Sequence, residues 1–156
     1  MAVKAQKMNA DVSLVLEDFI PYRLSVLSNR ISARIAELYQ AEFDLSVTEW
    51  RIIAVLGHFH ALSANEVAAR TAMDKVTVSR TVARLLERKL LKRRIDPVDR
   101  RKSVLDLSAS GARMHARVAP LALQLEARLL SGFNAREHET LEALFDKLEV
   151  GLESLP

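Results

Sequence analysis

Eleven residues between Lys75 and Lys102 are Lys or Arg, against three acidic ones (Glu87, Asp96 and Asp99). That window carries +8 in a chain of net charge +3, so the remaining residues carry −5. Clustered cations on a mildly acidic body can neutralise phosphates and release counterions, which is the footprint of a nucleic-acid contact. The arginines add a second capability, since a guanidinium can donate two hydrogen bonds to the major-groove edge of guanine. Residues suited to covalent chemistry are not arranged for it. There is no Cys, which removes disulfides, thiolate metal ligands, a cysteine nucleophile and thiol redox sensing. No G-x-S-x-G, H-E-x-x-H or Gly-rich phosphate loop occurs, so the chain is not expected to be an enzyme. His58 and His60 lack a Cys or carboxylate set beside them, and neither a metal nor a cofactor is expected.

The basic window must be held by ordered elements. The chain has 156 residues, 49% of them hydrophobic, with only four Gly and four Pro, which suits a mainly α domain with a core. A first helix is predicted over about 11–43, where Ile20, Leu24, Leu27, Ile31, Ile35 and Leu38 step by four and three. Ser46 and Glu49 have capping-box spacing before an apolar run, with Thr48 as a rival cap; Ser63 and Glu66 repeat the pattern. Asp74 can cap a third short helix reaching about Lys89. Short helices in tandem, the last one basic, read as a helix-turn-helix. The period then changes: LLKRRI and KSVLDL have strand length, and DPVDRR between them carries turn residues, which predicts a β-hairpin. Ser108 or Ser110 can cap another long helix bent by Pro120, and Asn134 with Glu137 starts the last one.

On a helical wheel, Val78, Val82, Leu85 and Leu86 of the basic helix face inward. Thr77, Arg80, Thr81, Arg84 and Arg88 fall on the opposite side. Base contacts come from the N-terminal part of such a helix, so Lys75, Thr77, Ser79 and Arg80 are expected at the DNA edge. Arg84 and Arg88 are expected on phosphates.

In order, these segments resemble the MarR family of winged helix-turn-helix regulators. The likeness runs from about Ile20 to Leu152. It is densest over Thr77–Gly111, with V-S-R-x-V-x-R-L-x-x-x-x-L, D-x-x-D-R-R and L-S-x-x-G at family spacing. The resemblance implies a homodimer on double-stranded DNA, with two recognition helices in successive major grooves and wing tips in the flanking minor grooves. Half-sites of a pseudo-palindrome would then lie about 34 Å apart. The dimerisation region would be 11–43 and 108–156, and the DNA-binding region 44–107. Family wings often read D-x-R-D-x-R; here Val98 replaces the first Arg, leaving Arg100 and Arg101 as the wing cations, with Asp99 orienting Arg101. The resemblance also implies a small-molecule effector that relieves repression, and without Cys that effector must bind non-covalently, as phenols and aromatic carboxylates do in similar proteins.

Tyr22, Arg23, Ser28, Trp50 and His60 are the residues offered to such an effector, an Arg for a carboxylate and aromatics for a ring. The ordinary alternatives are that Trp50 and Phe59 are core and that Arg23 forms an ion pair; His115 and His138 read as surface residues. The N-terminus lacks the apolar stretch of a signal peptide and no run approaches a membrane span, so a cytoplasmic, membrane-free protein is expected. The competing function is an architectural DNA-binding protein without sequence preference, which would share the salt dependence but not the specificity.

Overall fold

The computed structural model describes residues 13–96, 99 and 102–155. Among them the chain forms α1 (Ile20–Phe43), α2 (Val47–Phe59), α3 (Ala64–Thr71), α4 (Lys75–Glu87), β1 (Leu91–Ile95), β2 (Ser103–Leu107), α5 (Ala109–Leu129) and α6 (Ala135–Glu153). The mainly α class and the hairpin are as the sequence predicts.

Helix starts follow the capping residues closely. Ser46, Ser63 and Asn134 each accept from the backbone N–H three residues on, and Glu49, Glu66 and Glu137 return the bond to the cap backbone. Ser46 rather than Thr48 is the cap of α2, and Ser108 rather than Ser110 is that of α5. Helix α1 is shorter than the apolar periodicity suggests. Residues 16–18 form a turn, and the helix begins at Ile20 with Pro21 in its first turn. A Pro ring there removes no intrahelical bond, whereas deeper in a longer helix it would delete one and clash. Pro120 lies inside α5, which continues through it to Leu129.

The hairpin is antiparallel, with Leu91 opposite Leu107, Arg93 opposite Leu105 and Ile95 opposite Ser103. The connection between α2 and α3 joins it: Leu62 and Leu105 exchange both backbone hydrogen bonds, at 3.1 and 2.7 Å. One bridge thus fixes the wing's base to the helical unit.

The core lies between α2, α3, α4 and the hairpin, closed by the C-terminal end of α1 and the middle of α5. Tyr39, Leu45, Ile52, Ile53, Leu56, Val67, Val78, Val82, Leu85, Leu105 and Val118 are fully buried. Helix α6 buries no residue at all. Its Leu144, Phe145, Leu148 and Leu152 are exposed, as are Ile20, Leu24 and Leu27 of α1 and Leu123 and Leu129 of α5. No helix among the described residues is long and apolar enough to cross a membrane.

Candidate nucleic-acid interface

Asp74 sets the start of α4. Its carboxylate accepts from the Thr77 backbone N–H at 2.9 Å and from the Thr77 hydroxyl at 2.6 Å. The two Thr77 bonds, hydroxyl first, hold the Asp74 carboxyl below the usual carboxylate range. Thr77 is consequently half-buried, with its proton committed to the cap. Val78, Thr81, Val82 and Leu85 pack inward, while Lys75, Val76, Ser79, Arg80, Ala83 and Arg84 are exposed. The expected DNA edge is therefore presented by Lys75, Ser79, Arg80 and Arg84, with Thr77 at its margin. Thr81 departs from the wheel: it is 1% exposed, because the buried arc of a short helix wedged between α2 and α3 is wider than its apolar stripe. A shallow groove of about 480 Å³ runs between Thr48 at the start of α2 and Thr77, Arg80, Ala83 and Arg84 of α4. Thr48, passed over as a cap, lies on this face.

Arg88 also departs from expectation. It turns back from the end of α4 and donates to Glu49 Oε1 at 3.1 Å and to the Asp44 carbonyl at 2.8 Å, with the Asp44 carboxylate 3.7 Å away. Glu49 is almost fully buried and also accepts from the Ser46 backbone N–H and hydroxyl, each at 2.9 Å. Burial pushes its carboxyl up, but the Ser46 bonds and the Arg88 guanidinium outweigh that and hold it below the usual range. Arg88 is thus a clamp between α1, α2 and α4, and its charge is spent within the protein.

Arg94 on β1 is spent in the same way. Its Nε and Nη2 each lie 3.1 Å from Asp106 Oδ2 across the hairpin, and Asp106 Oδ1 accepts from the Ala61 backbone N–H at 2.9 Å. Lys92 and Arg93 remain exposed on β1. Toward the wing tip, the Asp96 N–H donates to the Lys102 carbonyl and the Lys102 N–H to the Asp99 carbonyl, each at 2.9 Å. The Asp99 carboxylate lies 3.8 Å from Lys102 Nζ. Arg100 and Arg101, with Pro97 and Val98, lie outside the described residues, so the pairing of Asp99 with Arg101 does too.

The start of α5 locks onto the end of α4. The hydroxyls of Ser108 and Ser110 both donate to the Lys89 carbonyl at 2.6 Å, and Ser108 Oγ accepts from the Gly111 N–H at 3.0 Å. A Cβ on Gly111 would run into the Leu90 carbonyl oxygen, so the close approach of these backbones requires glycine.

The five residues offered to an effector do not converge. Tyr22 and Arg23 line an open groove of about 700 Å³ between α1 and α6 that is otherwise mainly apolar. Ser28 is exposed on α1, and His60 is the exposed C-cap of α2; neither lines that groove. Trp50 belongs to a different cluster at the junction of α1, α2 and α5. It lies 5.2 Å from the Tyr39 ring and stacks at 5.8 Å on His115, whose imidazole is seated against Gly57. His115 is half-buried rather than a surface residue, because the missing side chain at Gly57 makes room for it. His138 is half-buried as well, edge-on to Phe133 at 5.8 Å. Tyr39 is fully buried, and its hydroxyl has no hydrogen-bond partner among the described residues. Next to Trp50, Arg51 reaches from α2 to the Ser32 hydroxyl on α1 at 3.0 Å. Phe59 is partly exposed beneath the Arg70 guanidinium, 3.7 Å from its ring centre. No group of three or more His, Asp or Glu side chains among the described residues could hold a metal.

A helical pair with a basic, exposed second member, a hairpin hinged beside it and uncovered helices at both chain ends define a winged helix-turn-helix protein. The MarR family model matches residues 43–102 of the chain. Over 86 residues it is 34% identical to the HTH-type transcriptional repressor NicR of Pseudomonas putida, covering 55% of this chain. The match spans about half the length of that relative, 54%. A MarR/EmrR family regulator from Acinetobacter sp. ADP1 superposes with a TM-score of 0.84 at 26% identity, over 91% of this chain and 100% of that one. BpsR of Bordetella bronchiseptica, whose DNA binding is regulated by 6-hydroxynicotinic acid, superposes with a TM-score of 0.74 at 26% identity, covering 88% and 97%. The proteins it matches are transcriptional regulators.

Proposed function

We propose that this chain is a ligand-responsive transcriptional regulator. As a homodimer it binds a pseudo-palindromic operator in double-stranded DNA and represses until a small aromatic or phenolic acid releases it. The observation that carries the reading is the outer face of α4. There Lys75, Ser79, Arg80 and Arg84 stand exposed, while neighbouring cations Arg88 and Arg94 are held in internal pairs. Cations left free along the outer face of a helix with polar neighbours suit base and phosphate contacts in a major groove. Arg100 and Arg101 are assigned to the minor groove, with residues 44–107 as the DNA-binding region.

The dimer reading is supported by the ends of the chain. Exposed apolar side chains recur along α1 and α6, with Leu123 and Leu129 exposed on α5, and a two-fold partner would cover them. This assigns 11–43 and 108–156 to dimerisation. It also favours covering the groove beside Tyr22 and Arg23 with the partner over filling it with effector.

For the effector, the stacked cluster of Tyr39, Trp50 and His115 offers aromatic surface to a ring. The buried Tyr39 hydroxyl can donate to a ligand oxygen, and Arg51 nearby can meet a carboxylate. An aromatic acid agrees with the regulation of BpsR by 6-hydroxynicotinic acid. The site sits where α1, α2 and α5 meet, so a ligand there can shift the DNA-binding unit against the dimer helices. A cytoplasmic location accompanies this reading.

The test is selection of duplexes from a random library with the full chain, followed by titration against scrambled duplex. Enrichment of a palindrome with half-sites about one turn apart is expected. Binding that is equal on all sequences would mean an architectural DNA-binding protein instead.

A further inference from the structure

The recognition helix exposes one large apolar side chain that no packing explains. Val76, in the first turn of α4, is 59% exposed. The uncovered apolar residues of α1 and α6 come in groups along each helix; on α4 Val76 stands alone among Lys75, Thr77, Ser79 and Arg80. Elsewhere in the winged unit the exposed Phe59 lies under Arg70, and Ile95 is exposed at the far end of β1, away from α4. A lone surface valine is ordinarily unremarkable, but this one occupies the turn from which base edges are read. It also lies four residues before Arg80, on the same helical ridge.

We propose that Val76 is a specificity-determining residue that reads the 5-methyl group of a thymine beside the guanine contacted by Arg80. The inference rests on the DNA-binding reading above. Thymine is the one base that presents a methyl group in the major groove, and only an apolar group gains by meeting it. Four residues of helix rise about 6 Å, against about 3.4 Å per base pair, so the two contacts fall one or two base pairs apart. Arg80 then contributes charge and paired hydrogen bonds, while Val76 contributes a desolvated methyl–methyl contact that no polar neighbour on α4 can supply. Burying one methyl-sized group corresponds to about a fourfold change in affinity.

Replacing thymine by deoxyuridine removes that methyl group and changes nothing else on the base edge. With a duplex selected by the full chain, each thymine of one half-site is replaced in turn. Dissociation constants are then measured for the wild type, Val76→Ser and Arg80→Ala. One position should weaken the wild type about fourfold on substitution, and there Val76→Ser should bind the thymine and uracil duplexes alike. Arg80→Ala should keep the uracil penalty while losing its guanine preference. Val76→Ser should melt as the wild type does, since its side chain is exposed. Two results overturn the inference while leaving sequence-specific binding intact. One is a wild type indifferent to uracil everywhere; the other is a Val76→Ser variant as sensitive to uracil as the wild type. A library that yields no preferred sequence overturns the DNA-reading role itself, and this inference with it.

Discussion

Replacing Arg88 by Ala separates two roles for the same guanidinium. As a phosphate contact it would contribute to DNA affinity and little to stability; as the clamp described above it does the reverse. The substitution strands the Glu49 carboxylate, whose side chain is 7% exposed, with only Ser46 as a partner, and removes the donor to the Asp44 carbonyl. Breaking a fully buried pair costs about 3–5 kcal/mol. The Arg88 side chain is 31% exposed, so its charge is partly screened and about 2–3 kcal/mol is the better figure. For a chain of this length that lowers Tm by about 5–10 °C, measured by circular dichroism at a fixed protein concentration. The pH dependence has a definite sign. Glu49 has a lowered carboxyl pKa in the folded protein, so its stabilising contribution is present above the ordinary carboxylate value of 4.5 and is lost as the pH falls through the folded value. The gap between wild type and Arg88→Ala should therefore narrow in acid, where the carboxylate is protonated in both. The slope of log affinity against log salt should be unchanged. An unchanged Tm together with a salt slope smaller by about 1 would refute the clamp and restore the phosphate contact.

Arg80→Ala should weaken binding to the selected duplex by about 1–3 kcal/mol and relax preference at one base pair, read from competition with point-mutated duplexes. Replacing Arg100 and Arg101 together by Ala should weaken binding on every sequence and lower the salt slope by about 2 per protomer, with Tm unchanged. Gly111→Ala should cost at least about 2 kcal/mol in denaturant unfolding, because the new Cβ meets the Leu90 carbonyl and backbone cannot step aside. Tyr39→Phe removes an unpartnered buried hydroxyl, so Tm should hold or rise while the release of DNA by an aromatic acid weakens.

The local chemistry of the fold was legible in the chain. Three capping boxes and the Asp74 cap mark where α2, α3, α4 and α6 begin, because each is a bond between residues three apart. The hairpin was equally visible in its change of period. What failed were features decided by distant partners. Arg88 looks like any surface arginine until Glu49, 39 positions earlier, is placed beneath it. Thr81 is buried because two helices flank it, which a single-helix wheel cannot register. His115 reads as a surface residue unless Gly57 is known to face it. The residues offered to an effector, Tyr22, Arg23, Ser28, Trp50 and His60, lie apart, because contacts between helices and not spacing in the chain decide which side chains meet. Val76 carried a signal, an apolar residue on the polar side of the helix, that the charges around it obscured.

If the exposed face of α4 reads DNA sequence, as proposed, the protein must prefer one duplex over others. That preference is the dissociation constant of the purified protein for scrambled duplex divided by that for the duplex it selects, at equal length and one moderate salt concentration. A ratio of about 10³ or more is expected, collapsing in Arg80→Ala while the scrambled affinity is nearly kept. A ratio near one for the wild type, or an Arg80→Ala variant that discriminates as well as the wild type, would contradict it.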